Sequence, residues 1–127
     1  MTKEKPKKQT CIFISICFYL NLFIAFQVPP KIAPFSLGEG PLEAGASISL
    51  QCSVTYGDYP INITWWFNNL PISLLSDISV STVSKRLSVL EIESVKAFHV
   101  GNYTCIAKND AGNMSHTAEV LVNGSNQ

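Results

Sequence analysis

The stretch Gly101-Asn102-Tyr103-Thr104-Cys105 decides how this chain is read. Along it and into the next two residues, Tyr103, Cys105 and Ala107 share one parity while Asn102, Thr104 and Ile106 take the other. A period of two marks a β-strand with one buried face. Ile48, Leu50, Cys52 and Val54 form a second alternating run, separated by Ser49, Gln51 and Ser53 and preceded by Ser47. A third run sets Ile63, Trp65 and Phe67 against Asn62, Thr64 and Trp66. The result is three half-buried strands with a cysteine in each outer one. Trp65 falls thirteen residues after Cys52, and Tyr103 falls two before Cys105.

The remaining segments also read as short strands between turns. Val28-Pro29-Pro30 is an extended lead-in, because proline fixes φ and excludes helix. Residues 31–36 can form a first edge strand, with Pro34 tolerated only at an edge or bulge. Leu37-Gly38-Glu39-Gly40-Pro41 breaks the chain before the Cys52 strand, and Tyr56-Gly57-Asp58-Tyr59-Pro60 is a turn by composition. Asn68-Asn69-Leu70-Pro71 reads as a tight turn into a short strand. Residues 78–82 and 86–92 read as two more strands, the latter with Leu90 and Ile92 inward and Leu87, Val89 and Glu91 outward. Residues 94–99 form a crossover in which Val95 caps the core. Asn109-Asp110-Ala111-Gly112 is a hairpin turn, and Ala118, Val120 and Val122 face inward on the last strand. The expected fold class is all-β, a two-sheet sandwich over residues 28–123, with 124–127 as a tail.

The 127 residues suffice for one domain. Nine basic and nine acidic residues balance, but unevenly: Lys3, Lys5, Lys7 and Lys8 crowd the first ten positions. After Gln27, five basic residues face eight acidic ones, a net charge of −3 without a basic stripe. Nucleic acid is therefore not an expected partner. Residues 11–26, an apolar run behind the lysine cluster, read as the core of a secretory signal peptide over 1–27. The competing reading is an uncleaved signal anchor, for which sixteen residues including Ser15 and Asn21 is short. Phe23 and Phe26 blur the small-residue cleavage pattern, and a cut after Gln27 places Ala25 at −3. Removing this segment takes Cys11 and Cys17 with it. Cys52 and Cys105 then reach an oxidising compartment as one pair, a disulfide rather than two free buried thiols. Closing that loop of 53 residues contributes about 4 kcal/mol in the chain-entropy model.

Cys52, Trp65, Leu90-Glu91-Ile92, Gly101-Asn102-Tyr103-Thr104-Cys105 and Asn109-Asp110-Ala111-Gly112 resemble an I-set immunoglobulin domain, with Tyr103 as its tyrosine corner. The runs Pro29-Pro30-Lys31-Ile32-Ala33-Pro34-Phe35 and Gly57-Asp58-Tyr59-Pro60 narrow the resemblance to the Down syndrome cell adhesion molecules of arthropods. So do Lys85-Arg86 and Leu90-Glu91-Ile92-Glu93-Ser94. The likeness is to the variable seventh immunoglobulin domain and to the first domain of the shortened chelicerate forms. It implies Trp65, Tyr103, Leu90 and Ile92 in the core. It also implies like-with-like pairing through the sheet that holds the Cys52 and 87–92 strands, in an antiparallel two-fold arrangement. His99 departs from the general immunoglobulin pattern, which carries Asp there, so Lys85 and Arg86 lose that carboxylate partner.

Four Asn-x-Ser/Thr sequons begin at Asn62, Asn102, Asn113 and Asn123. Asn62 and Asn102 point outward from neighbouring strands of one sheet, and Asn113 begins a third strand there. The other sheet presents Ser47, Ser49, Gln51, Leu87, Val89 and Glu91 as a candidate interface with few charges. Trp66 faces outward on the sequon-bearing sheet, as a partner contact or packed beneath a side chain or sugar. His99 and His116 are too few and too far apart in sequence for a metal site. No catalytic order of Ser, His and Asp, and no glycine-rich phosphate loop, is visible. The chain reads as a non-enzyme without cofactor, an extracellular homophilic adhesion module from the N-terminal part of a larger cell-surface receptor. Its membrane attachment would come only through a segment absent from this chain. The alternatives are a secreted protein binding a heterologous or microbial ligand, and a structural spacer.

Overall fold

A computed structural model describes residues 27–124 of the protein. The signal-peptide reading, with Cys11 and Cys17, lies outside the described residues apart from Gln27, as does Ser125 of the last sequon.

The alternating runs become two antiparallel four-stranded sheets. One holds β1 (Lys31–Ile32), β2 (Ile48–Tyr56), β6 (Leu87–Ile92) and β5 (Ser79–Ser84), in that order. The other holds β4 (Leu70–Pro71), β3 (Asn62–Phe67), β7 (Gly101–Asn109) and β8 (Gly112–Val120). Their apolar faces meet around the Cys52–Cys105 disulfide, whose Cα atoms stand 6.3 Å apart. Leu50, Val54, Trp65, Leu90, Ile92, Tyr103, Ala107 and Val120 fill the same layer. Val95 closes one end of it, ahead of a short 3₁₀ turn at Ala97–His99.

The turns follow from residue chemistry. Asn68 and Asn69 both adopt positive φ, 50° and 69°, the pair a type I′ hairpin requires and Asn tolerates. At the β7–β8 turn the Asn109 carboxamide oxygen accepts from the backbone N–H of Ala111 and Gly112, at 2.8 and 3.1 Å. Its Nδ2 donates to the carbonyls of Val28 and Asp58, tying those two segments to that turn.

Three expectations need correction. The first edge strand spans only Lys31–Ile32, not residues 31–36. Ala33 still donates to Ser53, but Pro34 has no N–H with which to continue the ladder. The chain crosses to the other sheet, where Leu42 pairs in parallel with Val122. Next, the strand expected at 78–82 runs from Ser79 to Ser84, with a register shift between Thr82 and Ser84. Last, Leu87 and Val89 point outward but are half-buried, not exposed. Strand β6 lies between β2 and β5, so neighbours on both sides cover them.

Candidate functional site

The two sheets turn different chemistry to the outside. On the sheet β4-β3-β7-β8, Asn62, Asn102 and Asn113 are all exposed. Thr104 faces Thr117 across β7 and β8, their hydroxyls 2.7 Å apart. Trp66 is half-buried on this face, and its indole N–H donates to the Thr64 hydroxyl. Asn123 follows β8, where its amide Nδ2 donates to the Glu43 carboxylate at 3.0 Å.

On the sheet β1-β2-β6-β5, Ser49 is paired with Glu91, Gln51 with Val89, and Ser53 with Leu87. Ser47, Ser49, Gln51 and Glu91 are exposed. The face therefore has a polar, nearly uncharged surface with two half-covered apolar side chains at its centre. No sequon lies in any strand of this sheet.

Beneath this face, Ser88 shares the inward parity of Leu90 and Ile92 and is 4 % exposed. Its hydroxyl accepts from the Trp65 indole N–H at 2.9 Å. A buried indole donor needs such a partner. The alternation along 87–92 places Ser88 on the inward face, but nothing local in the sequence names its partner.

At one end of the sandwich Tyr103 donates to the His99 carbonyl at 2.7 Å. The His99 Nδ1 accepts from the Lys96 N–H, which leaves Nε2 to face the Asp77 carboxylate at 2.7 Å. Asp77, two residues before β5, thus pairs with the histidine that stands where Asp is usual. Arg86 has other duties at the opposite end. It donates to the Tyr59 hydroxyl and to the carbonyls of Gly57 and Val54, with its guanidinium 4.6 Å from the Tyr59 ring centre.

The disulfide, the Trp65 indole packed into the same layer and the Tyr103 hydroxyl on the preceding turn together form one constellation. A model of the immunoglobulin domain matches residues 29–109. The chain belongs to the immunoglobulin domain family. Cell adhesion molecule Dscam1 of Drosophila melanogaster is 40% identical over 104 residues, covering 81% of this chain and 5% of that protein. Cell adhesion molecule DSCAML1 of Homo sapiens is 39% identical over 103 residues, covering 80% of the chain and 5% of its own length. This immunoglobulin chain thus spans about a twentieth of the curated relatives it matches. Among solved structures, the Dscam1 Ig7 domain, isoform 5, superposes with a TM-score of 0.72 at 42% identity. That match covers 74% of this chain and 96% of the Ig7 chain. The immunoglobulin domain here is therefore homologous to domains of cell adhesion molecules. Among its described residues, no helix is long and apolar enough to cross a membrane.

Proposed function

We propose that this immunoglobulin domain is a cell-recognition module that binds a second copy of itself through the outer face of the sheet β1-β2-β6-β5. The observation that carries this reading is the one-sided placement of the sequons. Asn62, Asn102 and Asn113 stand on the opposite sheet, so sugars attached there leave this face bare. The contact surface is Ser47, Ser49, Gln51, Leu87, Val89 and Glu91. A two-fold contact sets each side chain near its own symmetry mate, and a face with a single carboxylate keeps like-charge repulsion low. Leu87 and Val89 supply apolar area where a solvated face is ordinarily polar. Homology to cell adhesion molecules supports the same reading. The signal peptide over residues 1–27 would deliver the domain to the cell exterior, where Cys52 and Cys105 oxidise.

Beads coated with the protein should aggregate, and Leu87→Asp with Val89→Asp should abolish that aggregation while the thermal melt stays cooperative. Aggregation that survives the double substitution would refute the homophilic face.

A further inference from the structure

A second self-complementary surface lies on the rim of that sheet, at the free edge of β5. All six residues of Ser79–Ser84 are exposed, and none is charged. Of the other edge strands, β1 and β4 have two residues each, and the nine-residue β8 carries the exposed carboxylate of Glu119. Strand β5 therefore presents a long run of unpaired backbone donors and acceptors without the charges that commonly block such an edge. Beside it, between the two sheets, opens a groove of about 500 Å³ lined by Ile63, Pro71, Ile72, Leu75, Ile78 and Val80. Val80 is 41% exposed at its mouth.

We infer that β5 pairs with β5 of a second copy, antiparallel and two-fold, joining two four-stranded sheets into one of eight strands. The charges at its ends select this occupant and orientation. Asp77, whose exposed carboxylate also faces His99, precedes the strand, and Lys85 follows it beside Arg86, which is held by Tyr59 and the Gly57 carbonyl. Antiparallel pairing brings the acidic end of each strand to the basic end of the other, whereas parallel pairing would set like charges side by side. Side-chain alternation requires the two-fold axis to pass through a residue, because paired residues must face the same side. An axis at Ser81 satisfies this and brings Asp77 level with the Lys85-Arg86 end. Val80 and Thr82, both on the inward side, then lie opposite each other's counterparts over the two grooves. The register shift at Val83 ends the flat part of the ladder, which leaves Ser79–Thr82 as its centre. This contact uses the rim and not the outer face, so it stands independently of the face contact proposed above.

Sedimentation velocity on the secreted chain carrying Leu87→Asp and Val89→Asp isolates the edge. That protein should still dimerise with rising concentration. Adding Val80→Lys, an inward charge on an edge strand, should weaken the dimer by at least about tenfold. In the same background Ser81→Cys should form an intermolecular disulfide on mild oxidation, and Glu119→Cys on the far sheet should not. A face variant that is monomeric at every concentration would overturn the edge contact. So would dimers unaffected by Val80→Lys, or equal cross-linking at the two cysteines. Failure of the face reading registers separately, as bead aggregation that survives the Leu87 and Val89 substitutions.

Discussion

Tyr103 shows what one side chain can hold together. It is fully buried, stacks against Phe67 with ring centres 4.7 Å apart, and donates to the His99 carbonyl. Burial pushes its hydroxyl well above the ordinary value of 10.0, and the nearby Asp77 charge adds to the shift. The folded state therefore keeps the phenol neutral at a pH where the unfolded chain has already lost the proton. Its contribution is complete below pH 10 and declines as pH rises above it. Tyr103→Phe should cost about 1 kcal/mol at neutral pH, the worth of one hydrogen bond. It should also flatten the loss of stability above pH 10. Urea titrations between neutral and alkaline pH test both. Parallel pH curves for the two proteins would contradict the assignment. The Tyr, Cys and Trp positions were legible from spacing alone. The partners of His99 and Trp65 were not, because Asp77 and Ser88 lie more than twenty residues away in sequence.

At the scale of elements, Gly101 opens β7 where the β3–β4 turn folds back upon it. A Cβ there would stand 2.7 Å from the Phe67 ring and from both the amide nitrogen and oxygen of Asn68. Neither neighbour is free to yield. Phe67 packs on Tyr103, and the Asn68 oxygen accepts from the Asn102 N–H at 2.9 Å. Gly101→Ala should therefore cost about 1–3 kcal/mol, in the range of overpacked sites. A urea midpoint shift worth less than about 0.5 kcal/mol would show that the turn adapts. The first strand makes a related point about proline. Pro34 was expected at an edge or bulge. The structure goes further and takes the chain off the first sheet, with the Phe35 backbone set against His116, whose Nε2 lies 2.9 Å from the Phe35 carbonyl oxygen. Proline forbids a ladder bond but does not say where the chain goes next.

For the whole molecule, the asymmetry of the two outer faces governs the expected behaviour. Ser47→Asn creates an Asn-x-Ser sequon with Ser49 on the opposite face, of the same kind as those at Asn62, Asn102 and Asn113. A sugar there should abolish bead aggregation. Replacing Asn62, Asn102 and Asn113 with Gln should leave aggregation intact. Glycosidase treatment with mass measurement establishes occupancy in each protein, and bead assays at matched concentration read the outcome. If the Ser47 variant carries sugar and still aggregates, the sheet β1-β2-β6-β5 is not the contact.

The sequence by itself determined which side of the long central strands is apolar, where the tight turns at Asn68-Asn69 and Asn109–Gly112 fall, and that Cys52 and Cys105 lie on facing strands. A period of two, together with Asn, Gly and Pro at fixed offsets, is a local code that needs no knowledge of neighbours. Only the tertiary structure decided how far each outward residue is covered. That depends on strand order, which puts β6 between two neighbours and half-buries Leu87 and Val89 while leaving β5 with one side free. The crossing from β1 to Val122 and the groove beside β5 have the same origin. Both are made by segments distant in sequence, whose meeting no local pattern records.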